Sequence, residues 1–282
     1  MEIKDKIGLA ADDICSLPEK IIEEFQIEVV KMKLFFPELE KLPGKNMYQV
    51  MKETKAYPKT SAPSPGDYLK VYKKLFERFE KVLVITLSSK LSATYNSAFQ
   101  AKELMPDPSK IVTFDSLSAA VPEGLLVLKA AELIKAGKTV EEILKILESL
   151  REKIKLFAFL ETTYWVEKIG RMSHWQATAF KILKGLGVQP IIGIKEGKVG
   201  LTGFNFWTKD TLRAIFHQLK FEAKKHQIRV GINYTNNIDL AYTLKERVEK
   251  ELKLEVPFIS LVPPIVGANS GPGTLLAGTI PA

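Results

Sequence analysis

Cysteine occurs once in the chain, at Cys15, and histidine only three times, at His174, His217 and His226. A single cysteine excludes a disulfide framework and accords with a reducing compartment. A lone thiol becomes a nucleophile only beside a base. His217 and His226 fall on charged helical patterns, so Cys15 reads as structural, and no metal site is expected. Long apolar runs are missing as well. None approaches the ~18 residues of a membrane helix, and "MEIKDKIGLAADD" lacks the apolar stretch of a signal peptide. A soluble, cytoplasmic protein is expected. No G-x-x-x-x-G-K-[ST] pattern is present, which excludes a P-loop nucleotide site. The net charge is +8, from 41 basic and 33 acidic residues, yet no arginine-rich cluster accompanies it. The lysines are spread along amphipathic stretches such as "KVYKKLFERFEK", so no nucleic-acid partner is expected.

What remains is a globular composition, 46% hydrophobic and 26% charged over 282 residues, enough for one large domain or two ordinary ones. Apolar runs such as "KVLVITLSS" and "KIVTFDS" alternate with helical patterns such as "SATYNSAFQAKELM". That alternation predicts a parallel sheet with helices on both faces. Helix signals are strong in places. "PSPGDYLKVYKKLFERFE" offers Ser64 as N-cap, Pro65 at the first helical position and Asp67 reaching back. Thr139 caps "TVEEILKILESLREKI", and Gly137 closes the long helix before it. "SLPEKIIEEF" reads as a helix capped by Ser16, "IEVVKMKL" as one strand, and "NMYQVMKET" as a helix in an otherwise irregular stretch. Beyond residue 155 the texture changes. "VQPIIGIKEGKVGLTGFNFW" predicts a hairpin turning at Gly197. The expected fold is α/β in two domains. Residues 1–155 form a three-layer α/β/α unit with a mainly parallel sheet, and residues 156–282 a two-layer α/β unit with a mixed sheet.

Three loops are rich in hydroxyls or small residues: "KTSAPSPG" (59–66), "SSKLSATYNS" (88–97) and "GANSGPG" (267–273). In open α/β sheets ligands gather beyond the carboxyl ends of strands, next to helix N-termini that hold anions well. Thr60 and Ser92 can donate to a carboxylate or phosphate without adding a competing charge, and Ala62 and Ala93 let a ligand approach the backbone. Singly, each serine is explained as a cap; together the loops point to a small ligand with an anionic head. An enzyme using Ser92 or Cys15 as nucleophile, or a phosphotransferase, is the alternative, although no histidine lies in the three loops. A regulatory module with a structural lipid is another.

"KTSAPSPGDYLKVY" resembles the phrase K-T-S-Q-P-S-P, and "LSSKLSATYNSA" resembles S-S-K-L-S-G-T-Y-x-S-A, both of the bacterial DegV proteins. "FDSLSAA", "GLLVLKAAEL", "IGRMS" and "GANSGPG" follow in that family's order, so the resemblance spans essentially the whole chain. DegV proteins include the fatty-acid-binding subunit of fatty acid kinase. The resemblance implies a non-enzymatic protein that needs no cofactor. It would hold one long-chain fatty acid, such as palmitate, in an apolar tunnel in the cleft between the domains. Thr60 and Ser92 would meet the carboxylate, with backbone help near Ser61 and Ala93. Arg171 matches the arginine associated with acyl phosphate formation and kinase docking. The bound fatty acid, a possible kinase subunit and transient membrane-surface contact without insertion are the implied partners. Burying a ~16-carbon chain contributes at most about 11 kcal/mol before ordering costs. Departures from the pattern stand in three places. Asn269 replaces a histidine close to the head group, and asparagine can donate a hydrogen bond but cannot transfer a proton. Asp13 and Ile14 replace two hydroxyl residues, and the bulk of "FNFW" is expected to alter acyl preference.

Overall fold

A computed structural model describes residues 6–206 and 210–282. The strands of its first half are β1 (Ile7–Asp12), β2 (Glu28–Val30), β3 (Lys33–Phe35), β4 (Lys59–Ser61), β5 (Lys81–Thr86) and β6 (Ile111–Asp115). Those of the second are β7 (Lys155–Phe159), β8 (Gln189–Lys195), β9 (Lys198–Asn205), β10 (Ile228–Tyr234), β11 (Ile259–Leu261) and β12 (Leu275–Pro281). Helices α1 (Glu19–Glu24), α2 (Pro37–Glu40), α3 (Met47–Thr54), α4 (Pro65–Phe76), α5 (Thr94–Glu103), α6 (Val121–Lys135) and α7 (Val140–Arg151) belong to the first half. Helices α8 (Tyr164–Lys168), α9 (His174–Gly185), α10 (Thr211–Ala223), α11 (Ile238–Arg247) and α12 (Pro264–Ser270) belong to the second.

One sheet is parallel throughout, in the order β2-β1-β5-β6. The other is mixed, in the order β11-β10-β12-β7-β8-β9, with β10 and β11 parallel and the remaining pairs antiparallel. This is the two-domain α/β architecture expected. Tyr68, Tyr72 and Leu75 of α4 and Ala98 of α5 pack on the outer face of the parallel sheet, against Val82 and Val84. Ile215 and Leu219 of α10 and Leu244 of α11 cover the outer face of the mixed sheet. Between the two inner faces runs α6, buried along most of its length as a helix apolar nearly all round must be. Gly231 and Gly278 make room for it, since a Cβ on either would lie 2.6 Å from Val121 Cγ1. Leu83 and Ile85 of one sheet therefore share a core with Leu156, Leu276 and Ile280 of the other.

Local signals with a local hydrogen-bond partner come out as read. Ser64 accepts from the Asp67 N–H while Asp67 reaches back to Ser64, and Thr139 pairs likewise with Glu142. Glu196 and Gly197, both at positive φ, turn the β8–β9 hairpin. Three expectations are corrected. Ser16 does not cap α1, whose N-cap is Pro18; Ser16 is buried at φ +51, and its hydroxyl donates to the Ile14 carbonyl at 2.8 Å. "IEVVKMKL" is two strands, broken where the Met32 N–H turns to Asp13 Oδ1 (3.1 Å), so β3 leaves the sheet and pairs with β4 instead. "GANSGPG" is not a loop throughout. Its first four residues end α12, and only Gly271, Pro272 and Gly273 remain to turn the chain into β12.

Candidate functional site

The inner faces of both sheets and the loops above them enclose a cavity of about 530 Å³. Its body is apolar: Leu156, Ala158, Ile192, Ile194, Val199 and Leu276 project from the mixed sheet, and Ile14, Leu87 and Leu91 from the other side. Its polar lining comes from short segments far apart in sequence. Lys59, Thr60 and Ser61 enter on β4, Ser92 on the loop after β5, Asn269 and Ser270 on the last turn of α12, and Lys168 and Arg171 from the α8 segment. Four of the five expected head-group residues thus line one cavity, together with Arg171. Ala93 does not; it is the exposed N-cap residue of α5.

The charge pattern at the lining is one-sided. Among the described residues, Lys59, Lys168 and Arg171 are its only charged side chains, and no carboxylate joins them. None of the three forms an ion pair with another described residue, although the Lys168 ammonium lies 6.0 Å from the centre of the Tyr57 ring. Asn269 Oδ1 and Ser270 Oγ are buried there without a hydrogen-bond partner among the described residues. Buried polar atoms left unpaired are costly, and a polar ligand group at the lining would relieve that cost.

Ser92 has a defined local geometry. Its Oγ accepts from the Thr94 N–H (3.3 Å) and lies 2.8 Å from Thr94 Oγ1. Thr94 is fully buried, and its hydroxyl pairs with Ser92. With Thr94 donating, the proton of Ser92 is free to point into the cavity. Two carboxylates that sequence reading passed over hold this loop. Asp12 Oδ2 accepts from the Leu87 N–H (2.8 Å), and Asp115 accepts from the N–H groups of Ser89 (3.2 Å) and Leu117 (2.9 Å). Both acids end a strand, "IGLAAD" and "IVTFD", and an acid closing a buried apolar run was the available signal. The Ser88 hydroxyl donates to the Gly197 carbonyl (2.8 Å) and ties the loop to the β8–β9 hairpin. Ser89 contributes its backbone N–H to the loop's support.

The groups needed for nucleophilic catalysis are dispersed. Cys15 is 1% exposed, and burial, reinforced by the Glu123 carboxylate, pushes its thiol well up. His174 pairs with Glu167 (2.7 Å) on the exterior, and among the described residues no histidine lines the cavity. Phe204 and Phe206 stack edge to face on each other, exposed to solvent and away from the cavity lining; Trp207 lies outside the described residues.

Two β-sheets, each covered by helices, close on an apolar cavity whose polar part is lined by hydroxyls and cations. The DegV family model, described as an uncharacterised protein family, matches residues 6–281, and the chain belongs to the DegV family. A DegV domain-containing protein of Clostridium acetobutylicum is 32% identical over 276 residues, covering 95% of each chain. Among solved structures, a DegV family protein from Thermus thermophilus described by its fatty acid binding superposes with a TM-score of 0.82 at 25% identity, covering 98% of this chain and 100% of its own. A DegV lipid-binding protein from Thermotoga maritima superposes with a TM-score of 0.80 at 26% identity, covering 98% of each chain. Among the described residues, no helix is long and apolar enough to cross a membrane.

Proposed function

We propose that this protein holds one long-chain fatty acid, its acyl chain in the apolar body of the cavity and its carboxylate at the polar lining. The observation that carries the reading is the division of one cavity into an apolar body and a lining of hydroxyls, amide and cations without a carboxylate. Thr60 and Ser92 donate to the carboxylate, Ser61 and the backbone near Ala93 add N–H groups, and Asn269 donates through its amide where a histidine is usual. The fatty-acid binding named for the Thermus thermophilus relative supports the ligand class. The protein needs no cofactor and performs no chemistry itself. It works in the cytoplasm, presenting the carboxylate to a separate kinase that makes the acyl phosphate, with Arg171 at the exposed edge of the cavity serving kinase and phosphate.

Hydroxyl donors suit such a role, because they bind carboxylate and acyl phosphate alike and add no further charge to the three cations of the lining. Mass spectrometry of an organic extract from the denatured protein tests the ligand. A fatty acid in the extract, or stoichiometric uptake by delipidated protein, is expected; absence of both refutes the reading. Acyl phosphate formation with a candidate kinase and ATP tests the presentation step. Arg171→Ala should lower that turnover while the pocket stays filled.

A further inference from the structure

Beneath the cavity lie two carboxyl groups that no ligand contact explains. Asp12 at the end of β1 and Glu123 in the first turn of α6 are both 0% exposed. The first turn of α6 packs on the turn that Asp12 caps, since a Cβ on Gly124 would lie 2.3 Å from the Cys15 carbonyl oxygen, and the two carboxyl groups act on each other there. The oxygens of Asp12 are already committed, Oδ1 to the Ile14 N–H (3.1 Å) and Oδ2 to the Leu87 N–H (2.8 Å). Both Ile14 and Leu87 line the cavity, and Leu87 opens the loop that carries Ser92. Neither Glu123 oxygen has a donor among the described residues. Among the described residues, the groups that face the pair from neighbouring elements add no positive charge. They are Asp13 and Cys15 in the turn after β1, Tyr68 on α4 and Asp115 at the end of β6.

Two ionised carboxylates cannot share such a site, since each would be stripped of water and face the other's charge. One proton must remain, and the geometry says which group holds it. Asp12 accepts two N–H bonds that stabilise its anion, whereas Glu123 has none and so carries the proton and donates it to Asp12. The N-terminus of α6 favours an anion at Glu123 by only about 0.3–1 kcal/mol, too little to offset full burial. Burial pushes Asp12 up to about 7 and Glu123 well above the usual carboxylate range, the same order of ionisation.

We propose that Asp12 is a positioning residue for the ligand, fixing the Ile14 and Leu87 backbones, and that it does so only while Glu123 supplies the shared proton. The link to affinity rests on the fatty-acid reading above. When Glu123 ionises, the second buried charge draws water in and Asp12 releases its grip on Leu87, so the Ser92 loop loses one of its anchors. Occupancy therefore falls as the medium becomes alkaline.

The test compares the delipidated wild type with Glu123→Gln, whose amide keeps a permanent donor toward Asp12. Binding of cis-parinaric acid, a fluorescent fatty acid, is titrated from pH 7 to 9.5. The wild type should lose about tenfold in affinity per pH unit once Glu123 titrates, and the variant less than about twofold over the range. Parallel profiles overturn the proposal, because the two proteins differ only at Glu123. A second measurement needs no ligand: hydrogen exchange of the peptide containing Leu87, corrected for intrinsic rate. Protection should drop on raising the pH in the wild type and hold in Glu123→Gln; equal loss in both refutes the pair. If neither protein binds the probe at any pH, the fatty-acid reading fails, and the exchange data still decide the pair. Asp12→Asn, which cannot accept from both N–H groups, should lose Leu87 protection at every pH.

Discussion

The sharpest consequence of the Ser92 geometry is that its effects on affinity and on stability can be separated. Ser92 Oγ receives the Thr94 N–H at 3.3 Å and lies 2.8 Å from Thr94 Oγ1; with Thr94 donating, one proton is left for the ligand. A hydrogen bond to a charged group is worth about 1.5–3 kcal/mol, so Ser92→Ala should weaken fatty-acid binding by about 10- to 150-fold. The same substitution strands the Thr94 hydroxyl, which is fully buried, at a cost of about 1–3 kcal/mol in stability. At about 2–4 °C per kcal/mol for a chain of this size, the melting temperature of the ligand-free protein should drop by several degrees. Thr94→Val keeps the shape of the side chain and removes the donor behind Ser92. It should cost a few-fold in affinity, since donors in a chain strengthen one another, with a small effect on melting. The double variant should regain the stability lost in Ser92→Ala but none of the affinity. Fluorescence titration of delipidated proteins and thermal melts read the two quantities independently. Undiminished affinity in Ser92→Ala, or a double variant no more stable than Ser92→Ala, would refute the hydrogen-bond scheme.

Other expectations follow from the same structure. Shortening the fatty acid should weaken binding by about fourfold per methylene, at about 0.8 kcal/mol each; an affinity flat between ten and sixteen carbons would contradict an apolar cavity as its main source. Gly271→Ala should lower the melting temperature by several degrees and weaken binding, since Gly271 sits at φ +85 with the Trp165 ring 2.0 Å from a Cβ there, and it directly follows Asn269 and Ser270. A variant melting like the wild type would show that α12 ends differently. Ser64→Ala should cost about 1 kcal/mol at pH 6. The Asp67 carboxylate is held down to about 2 chiefly by the Ser64 hydroxyl. A lowered carboxylate contributes stability above its ordinary value, 3.8, and loses it as pH falls toward 2, so the gap between variant and wild type should narrow across that window in acid melts. A gap unchanged down to pH 2 would detach the cap from Asp67.

Signals whose partner lies within a few residues are legible in the sequence itself. Ser64 and Asp67, Thr139 and Glu142, and Gly137 with Gly197 each settle a local backbone geometry, because the hydrogen bond or the positive φ belongs to the segment itself. Sequence and structure part where a distant group intervenes. Met32 leaves the strand for Asp13, 19 positions back, and Ser16 is used in the interior, where its carbonyl accepts from Ser260 and Asn233 of the second half. "GANSGPG" resembles a loop because of its glycines. Yet Gly267 is there for closeness rather than for a turn, since a Cβ on it would meet the Tyr48 hydroxyl at 2.1 Å.

The sequence by itself therefore determined the class of fold, the family and the segments that bear hydroxyls, through periodicity, caps and motifs that need no knowledge of neighbours. Only the tertiary structure decided that Thr60, Ser92, Asn269 and Arg171 line one cavity with an apolar body. It also decided that Asp12 reaches Leu87 across 75 positions and that Ser88 reaches Gly197 across 109. Those pairings depend on placing β1 beside β5 and packing α6 between two sheets, and such long-range order is set by burying both apolar faces at once. No single stretch of the chain carries that information.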